Sequence, residues 1–302
     1  MEKQMRSSAM PEFWLVLSGS GMRLYAFLGA ILALVSMGVR IKGITATSGG
    51  AVVAGVMAKY YDPADPVKSM RKVIKVAKSI KPSNILTFRW RVWEWLLTNL
   101  FRKGPKGPFQ TGKILKTFRE HMPATIGESK FPIRVCSYQV NLKSPVPVTF
   151  TEPDVDLPLA CLGSMSLPVF DPTKYGVALL QDGGWVRNFN IPDDEVNVIG
   201  LYFGGANAGP VSGIVSDKAQ LVDIKDNIQL IQKCISGVID DNMRRSVEEA
   251  VEEGVNLVKI PLRTKLETLD FFASETKIDQ AIDEGYDSVA STYAFLSKRL
   301  SK

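Results

Sequence analysis

The sequence predicts an α/β fold with a central, mainly parallel sheet and flanking helices. Three observations carry this. The stretch from Leu15 to Gly55 twice repeats a short apolar run, a glycine-containing turn and an apolar helix. Val196 to Tyr202 is a near-continuous apolar run of the kind buried in parallel sheets. Further runs of strand type alternate with segments of helical period, which favours crossover connections over an antiparallel barrel.

Taken in order, Phe13 to Leu17 reads as the first buried strand, Ser18-Gly19-Ser20-Gly21 as a turn and Leu24 to Met37 as a helix. Ile41 to Thr45 reads as the second strand, adjacent and parallel to the first. Ala46-Thr47-Ser48-Gly49-Gly50 is a sharp strand-to-helix turn leading into a helix over Ala51 to Lys59. Asp65-Pro66 starts a helix over Val67 to Ile80, which places Val67, Met70, Val73 and Ala77 on one side and Lys68, Arg71, Lys72, Lys75 and Lys78 on another. A helix is expected over Ile85 to Phe101. Further on, Thr111 to His121 and Leu157 to Ser166 read as helices, Phe131 to Gln139 as a strand and Pro145 to Phe150 as an edge strand. Val177 to Leu180 leads into the tight turn Gln181-Asp182-Gly183-Gly184. Gly204 to Ile214 is glycine-rich. The last third offers helices over 218–236, 241–253 and 277–300, with a strand at Val255 to Pro261.

A chain of 302 residues with 45% hydrophobic content buries a large α/β core. The reading is a single domain over 1–302, carrying a basic, aromatic helical insertion or cap at about 67–106. Cys136, Cys161 and Cys234 are odd in number and scattered, as expected of reduced core thiols. No run of 18 apolar residues is present, and the first residues lack the apolar core of a signal peptide. The expectation is a cytoplasmic protein, in part peripheral on membrane; secretion without a signal peptide is compatible with it.

The charge of +6 is unevenly placed. Lys68 to Lys106 holds eleven Lys or Arg residues against Glu94 alone, and three of the five tryptophans (Trp90, Trp93 and Trp95). On a helix Trp90, Trp93, Leu97 and Phe101 share a broad face flanked by arginines, which suits either a core helix or an interfacial one. No zinc-finger spacing, RNP-like strand or basic repeat accompanies the charge, so an anionic membrane is expected as partner rather than nucleic acid.

Ser48, in a tight turn before a helix N-terminus, is a candidate nucleophile, with Gly50 letting strand and helix pass closely. The first turn is the alternative focus, because glycine-rich turns also bind phosphate. Met22-Arg23-Leu24 lacks the Lys-Ser/Thr of a Walker loop, and Leu24, Arg40 and Lys42 do not fit a dinucleotide site. A purely structural turn stays open. An attacking serine needs a base, and the sole histidine, His121, sits at a helix end beside Met122-Pro123. A carboxylate must then serve. Asp182 is well placed in its turn, although composition alone does not select it. One histidine and acids without calcium-loop spacing point to no metal.

Taken together, Gly19-Ser20-Gly21-Met22-Arg23, Thr47-Ser48-Gly49-Gly50 and Asp182-Gly183-Gly184 resemble, in order and spacing, the oxyanion turn, serine elbow and aspartate turn of the patatin-like phospholipases in their short bacterial form. Asn188-Phe189 and Leu269-Asp270-Phe271 also resemble family segments. Departures are Ser20, Leu24 and Ala46, each where the family has glycine. Leu24 is the largest of them, and either narrows the site or joins an acyl pocket.

The resemblance implies a patatin-like three-layer fold and a serine esterase of phospholipase A type, cleaving glycerophospholipid esters through a Ser48–Asp182 dyad without a cofactor. Gly21 and Met22 would donate N–H groups to the oxyanion, Gly19 and Ser20 would shape the turn, and Arg23, Gly50 and Gly183 would support it. The alternative is a catalytically weak or inactive patatin-like protein that acts as a membrane-binding or regulatory module.

Overall fold

The computed structural model describes residues 12–88, 109–167, 170–171, 173–184, 188–203 and 255–292, together with Glu248, Glu249 and Glu252. Along the chain its elements are β1 (Glu12–Leu17), α1 (Leu24–Ser36), β2 (Arg40–Thr47), α2 (Gly49–Tyr60), α3 (Pro66–Ser79), α4 (Pro82–Ile85), β3 (Thr87–Phe88), β4 (Phe109–Gln110), α5 (Gly112–His121), β5 (Ile133–Gln139), β6 (Val146–Phe150), α6 (Leu157–Ser164), β7 (Thr173–Tyr175), β8 (Ala178–Asp182), β9 (Asn197–Tyr202), β10 (Asn256–Pro261) and α7 (Glu275–Ala290).

An eight-stranded sheet runs in the order β10-β9-β1-β2-β5-β8-β7, with β6 also paired to β5. From β10 through β5 every pairing is parallel, whereas β6, β7 and β8 are antiparallel to their neighbours. The expected adjacency of the first two strands holds, with Leu15 opposite Ile44 and Leu17 opposite Ala46. This is the mixed α/β, three-layer arrangement that the resemblance implied.

Alternation along β1 divides the interior. Phe13, Leu15 and Leu17 enter the large core with α1 and α2, while Trp14 and Val16 point the other way, toward Phe189 and Val198. Helix α1 is buried on nearly every side because α2, α3 and α7 all contact it. Each fully buried Leu, Ile or Phe contributes about 1.5–3 kcal/mol. The α1–α7 crossing is close: a Cβ on Gly29 would lie 1.8 Å from Ile282 O, and one on Gly285 would lie 2.0 Å from Ala26 O.

Helix α3 starts with Pro66 at its first turn. It buries Met70, Val73 and Ala77 and leaves Lys68, Arg71, Lys72 and Lys75 exposed. Among the described residues Lys68, Arg71 and Lys75 pair with no acid, whereas Lys78 meets Asp279 and Lys81 meets Glu275.

Three details differ from the sequence reading. The helix expected over Ile85 to Phe101 does not run through residues 85–88: α4 ends at Ile85, and β3 pairs antiparallel with β4. Proline at the first turn of α4 starts a helix, but Leu86 is already extended. The strand β7 was not anticipated; it forms a hairpin with β8 around Gly176, whose φ of +56° a side chain would resist. Asp182 closes β8 rather than following it. Trp90, Trp93, Leu97 and Phe101, the glycine-rich 204–214, the helix expected over 218–236, most of that over 241–253, and Cys234 lie outside the described residues. No helix among the described residues is long and apolar enough to cross a membrane.

Candidate active site

Two chain reversals at the ends of parallel strands bring the site together. Between β2 and α2, Ser48 adopts φ 54° and ψ −123°, the one non-glycine positive φ among the described residues. Such a backbone is strained and persists only where neighbours hold it. The Ser48 N–H donates to Ser164 Oγ at 2.8 Å, and Ser164 Oγ donates in turn to Cys136 O at 2.5 Å. Ser164 is fully buried at the end of α6, so the elbow is fastened to a helix and to β5 together. Gly49 allows the two turns to touch, because a Cβ there would lie 2.4 Å from Ser20 Oγ. Gly50 packs against Leu17, and Gly183 against Cys136 O.

At the end of β8 the Asp182 carboxylate faces the elbow. Its Oδ2 accepts the Ser48 hydroxyl at 2.5 Å, and its Oδ1 accepts the Gly184 N–H at 2.7 Å. Asp182 is 2% exposed and Ser48 5%. Burial pushes the Asp182 carboxyl up to about 7, and the hydrogen bonds from Ser48 and Gly184 oppose that rise. A carboxyl in this range exchanges protons with a hydroxyl near neutral pH more readily than an ordinary aspartate.

The first glycine turn forms one wall of the same cleft, which Gly19, Ser20, Gly21, Arg23, Ser48 and Asp182 line along with Leu167, Gly184, Asn188 and Thr268. Here the structure corrects the sequence reading. The Met22 N–H donates to Thr268 O at 2.9 Å, so it is already committed, and the Met22 side chain turns into an apolar cavity. The Gly19 N–H is taken by Asn188, through its carbonyl at 3.2 Å and its Oδ1 at 2.9 Å. The N–H groups of Ser20 and Gly21 have no acceptor among the described residues. Gly21 sits at φ +53° against Thr268.

Arg23 braces this turn. Its guanidinium stacks over the Phe203 ring, 4.6 Å from the centroid, and its Nε reaches Ser20 O at 3.4 Å. His121 lies elsewhere, at the end of α5, with Nδ1 3.3 Å from the Tyr60 hydroxyl. Asp194 and Glu195 are engaged with Arg134 and Lys42, and among the described residues no three His, Cys, Asp or Glu side chains gather as a metal site.

Behind the cleft lies an almost wholly apolar cavity with about 670 Å³ of non-atom space, part of it open to solvent. Neighbouring residues of shared segments line the two spaces: Gly21 and Arg23 face the cleft and Met22 and Leu24 the cavity, while Leu167 faces the cleft and Met165 the cavity. Leu24 is therefore a cavity wall residue. Val52 and Val53, one turn beyond Ser48 on α2, join it.

Ser164, Asn188 and Thr268 are the members that sequence reasoning left without a role. Ser164 and Asn188 carried a signal, as parts of the family-like segments around Asp182, whereas Thr268 carried none.

The sequence model of the patatin-like phospholipases matches residues 15–194, and the chain belongs to that family. No curated protein matches it significantly. Among solved structures, VipD from Legionella pneumophila is similar at 13% identity and a TM-score of 0.46, over 92% of this chain and 66% of that one. The type III effector ExoU, known from Pseudomonas aeruginosa, is similar at 14% identity and 0.47, over 97% and 54%. Human GIVD cytosolic phospholipase A2, in complex with methyl gamma-linolenyl fluorophosphonate, is similar at 8% identity and 0.48, over 100% and 60%. The chain thus spans between about half and two thirds of the length of these proteins.

Proposed function

We propose that this chain is a lipid acyl hydrolase of the short bacterial patatin type, a serine esterase cleaving glycerophospholipid carboxylic esters in the manner of a phospholipase A. The observation that carries the reading is the 2.5 Å hydrogen bond from Ser48 Oγ to a buried Asp182 whose carboxyl is raised to about 7, at a serine held with positive φ. Family membership supports hydrolysis of lipid in general, and the dyad geometry supports the finer assignment to an ester.

In this reading Asp182 Oδ2 takes the hydroxyl proton as Ser48 Oγ bonds to the ester carbonyl carbon. Negative charge gathers on the carbonyl oxygen, opposite the N–H groups of Ser20 and Gly21, where each donor of this kind is worth about 3 kcal/mol. Collapse breaks the bond to the alcohol, which leaves with the proton from Asp182, and an acyl-Ser48 remains. Water then gives a proton to Asp182 and attacks the acyl carbon; Ser48 recovers its proton as the fatty acid departs. No cofactor takes part in these steps. The acyl chain occupies the apolar cavity, with Leu24 on its wall.

The unpaired cations of α3, with the aromatic segment beyond it, bring the protein to anionic membranes. Their attraction is about 1 kcal/mol per well-placed Lys or Arg. Mass-spectrometric product analysis on mixed glycerophospholipid vesicles tests the whole reading. Fatty acid and lysophospholipid are expected from the wild type and neither from Ser48→Ala. Membrane binding without product would instead identify a binding module.

A further inference from the structure

Asn188 is 1% exposed and lines the cleft beside Ser48 and Asp182. Its carboxamide is oriented without ambiguity, because the atom facing the Gly19 N–H at 2.9 Å must be the acceptor, Oδ1. The other arm, Nδ2, carries two N–H donors and meets no acceptor among the described residues. A buried amide donor left without a partner is costly, and such groups in a reaction cleft have a use. Its location is narrow. A Cβ on Gly19 would lie 2.2 Å from Asn188 Oδ1 and 3.3 Å from Ser48 Cβ, and one on Gly184 would lie 3.1 Å from the same Oδ1 and 2.9 Å from Asp182 Oδ1. The amide therefore sits between the backbone beside the attacking serine and the backbone beside its base.

We infer that Asn188 Nδ2 is a third donor to the reacting carbonyl oxygen, completing the pair of backbone N–H groups from Ser20 and Gly21. This rests on the hydrolase reading above. One side chain then has two tasks: Oδ1 holds the oxyanion turn in place through Gly19, and Nδ2 stabilises the charge that develops in the transition state.

The two tasks are separable. Asn188→Asp retains an acceptor for Gly19 and, once ionised, offers no donor; Asn188→Ala lacks both. Hydrolysis of 4-nitrophenyl butyrate is followed across pH, with thermal unfolding of each variant and the affinities of a trifluoromethyl ketone, which forms a tetrahedral adduct with serine, and of its methyl ketone analogue, which does not. At the alkaline plateau, where any upward shift of Asp182 by the new charge is passed, Asn188→Asp is expected to unfold at a lower temperature, because it adds a buried carboxylate beside Asp182, yet to remain folded under assay and to keep its KM. Its kcat should fall about 10²- to 10³-fold. Affinity for the trifluoromethyl ketone should fall with kcat while that for the methyl ketone holds. A plateau kcat within about threefold of wild type, or equal losses for both ketones, overturns the donor role and leaves the hydrolase reading standing. A wild type that cleaves no ester and binds neither ketone overturns both.

Discussion

The backbone N–H of Ser48 is held by the hydroxyl of Ser164, a residue 116 positions away, at 2.8 Å. Since the Ser164 hydroxyl donates its own hydrogen bond to Cys136 O, one buried hydroxyl fixes the elbow to both β5 and α6. Removing it in Ser164→Ala takes the acceptor from the buried Ser48 N–H, so stability should fall by about 1–3 kcal/mol in denaturant unfolding. Activity should fall further than unfolding accounts for, as the strained serine relaxes. A variant as stable as wild type would show that the elbow holds itself.

The base sets a pH dependence. With the Asp182 carboxyl at about 7, its deprotonated form is lost below neutrality, and kcat/KM should drop about tenfold per pH unit on the acid side of 7. An unperturbed aspartate would keep full activity down to about pH 5. A pH–rate profile on a soluble ester distinguishes the two.

The same shift is a statement about stability. Asp182 holds its proton in the fold at pH values where the unfolded chain, at about 3.8, has released it. Wild-type stability therefore declines as pH rises from about 4 to about 7 and levels off above, the full effect being on the order of 4 kcal/mol. Asp182→Asn removes the titration, so its advantage over wild type should grow across that window while its activity is lost. Urea titrations at several pH values read this out; a pH-independent difference would place the carboxyl in its ordinary range.

Charge reversal on α3 tests the membrane contact. Lys68→Glu, Arg71→Glu and Lys75→Glu together should weaken binding to phosphatidylserine-containing vesicles by at least about a hundredfold. Hydrolysis of a short soluble ester should be unchanged. Trp90→Ala with Trp93→Ala should likewise lower hydrolysis of vesicle lipid more than that of the soluble ester. Vesicle sedimentation that ignores anionic lipid content would reject the electrostatic part.

Much of the fold was legible because its signals are local. The apolar runs at Phe13–Leu17 and Val196–Tyr202, and the glycines between strand and helix, need no partner to be read. Ser48 was legible for the same reason, whereas Asp182 was well placed by its turn but singled out by the family pattern, since many acids compete by composition. The hydrogen bonds that complete the site were not legible. Ser164 and Asn188 act across long loops, and Thr268 acts through its carbonyl, a group every residue carries. That carbonyl takes up the Met22 N–H, which the family resemblance had suggested as an oxyanion donor. The pair β3–β4 was hidden because two residues of strand leave no period to detect.

Ser48, activated by Asp182, is the proposed nucleophile. Timed labelling with an alkyl fluorophosphonate, followed by intact-mass spectrometry and peptide mapping, tests it most directly, because attack by serine expels fluoride and leaves a stable phosphonyl ester. The wild type should acquire one adduct, on Ser48; Asp182→Asn should react far more slowly; Ser48→Ala should remain unmodified. Labelling of Ser48→Ala at the wild-type rate, or an adduct on another residue of the wild type, would contradict it.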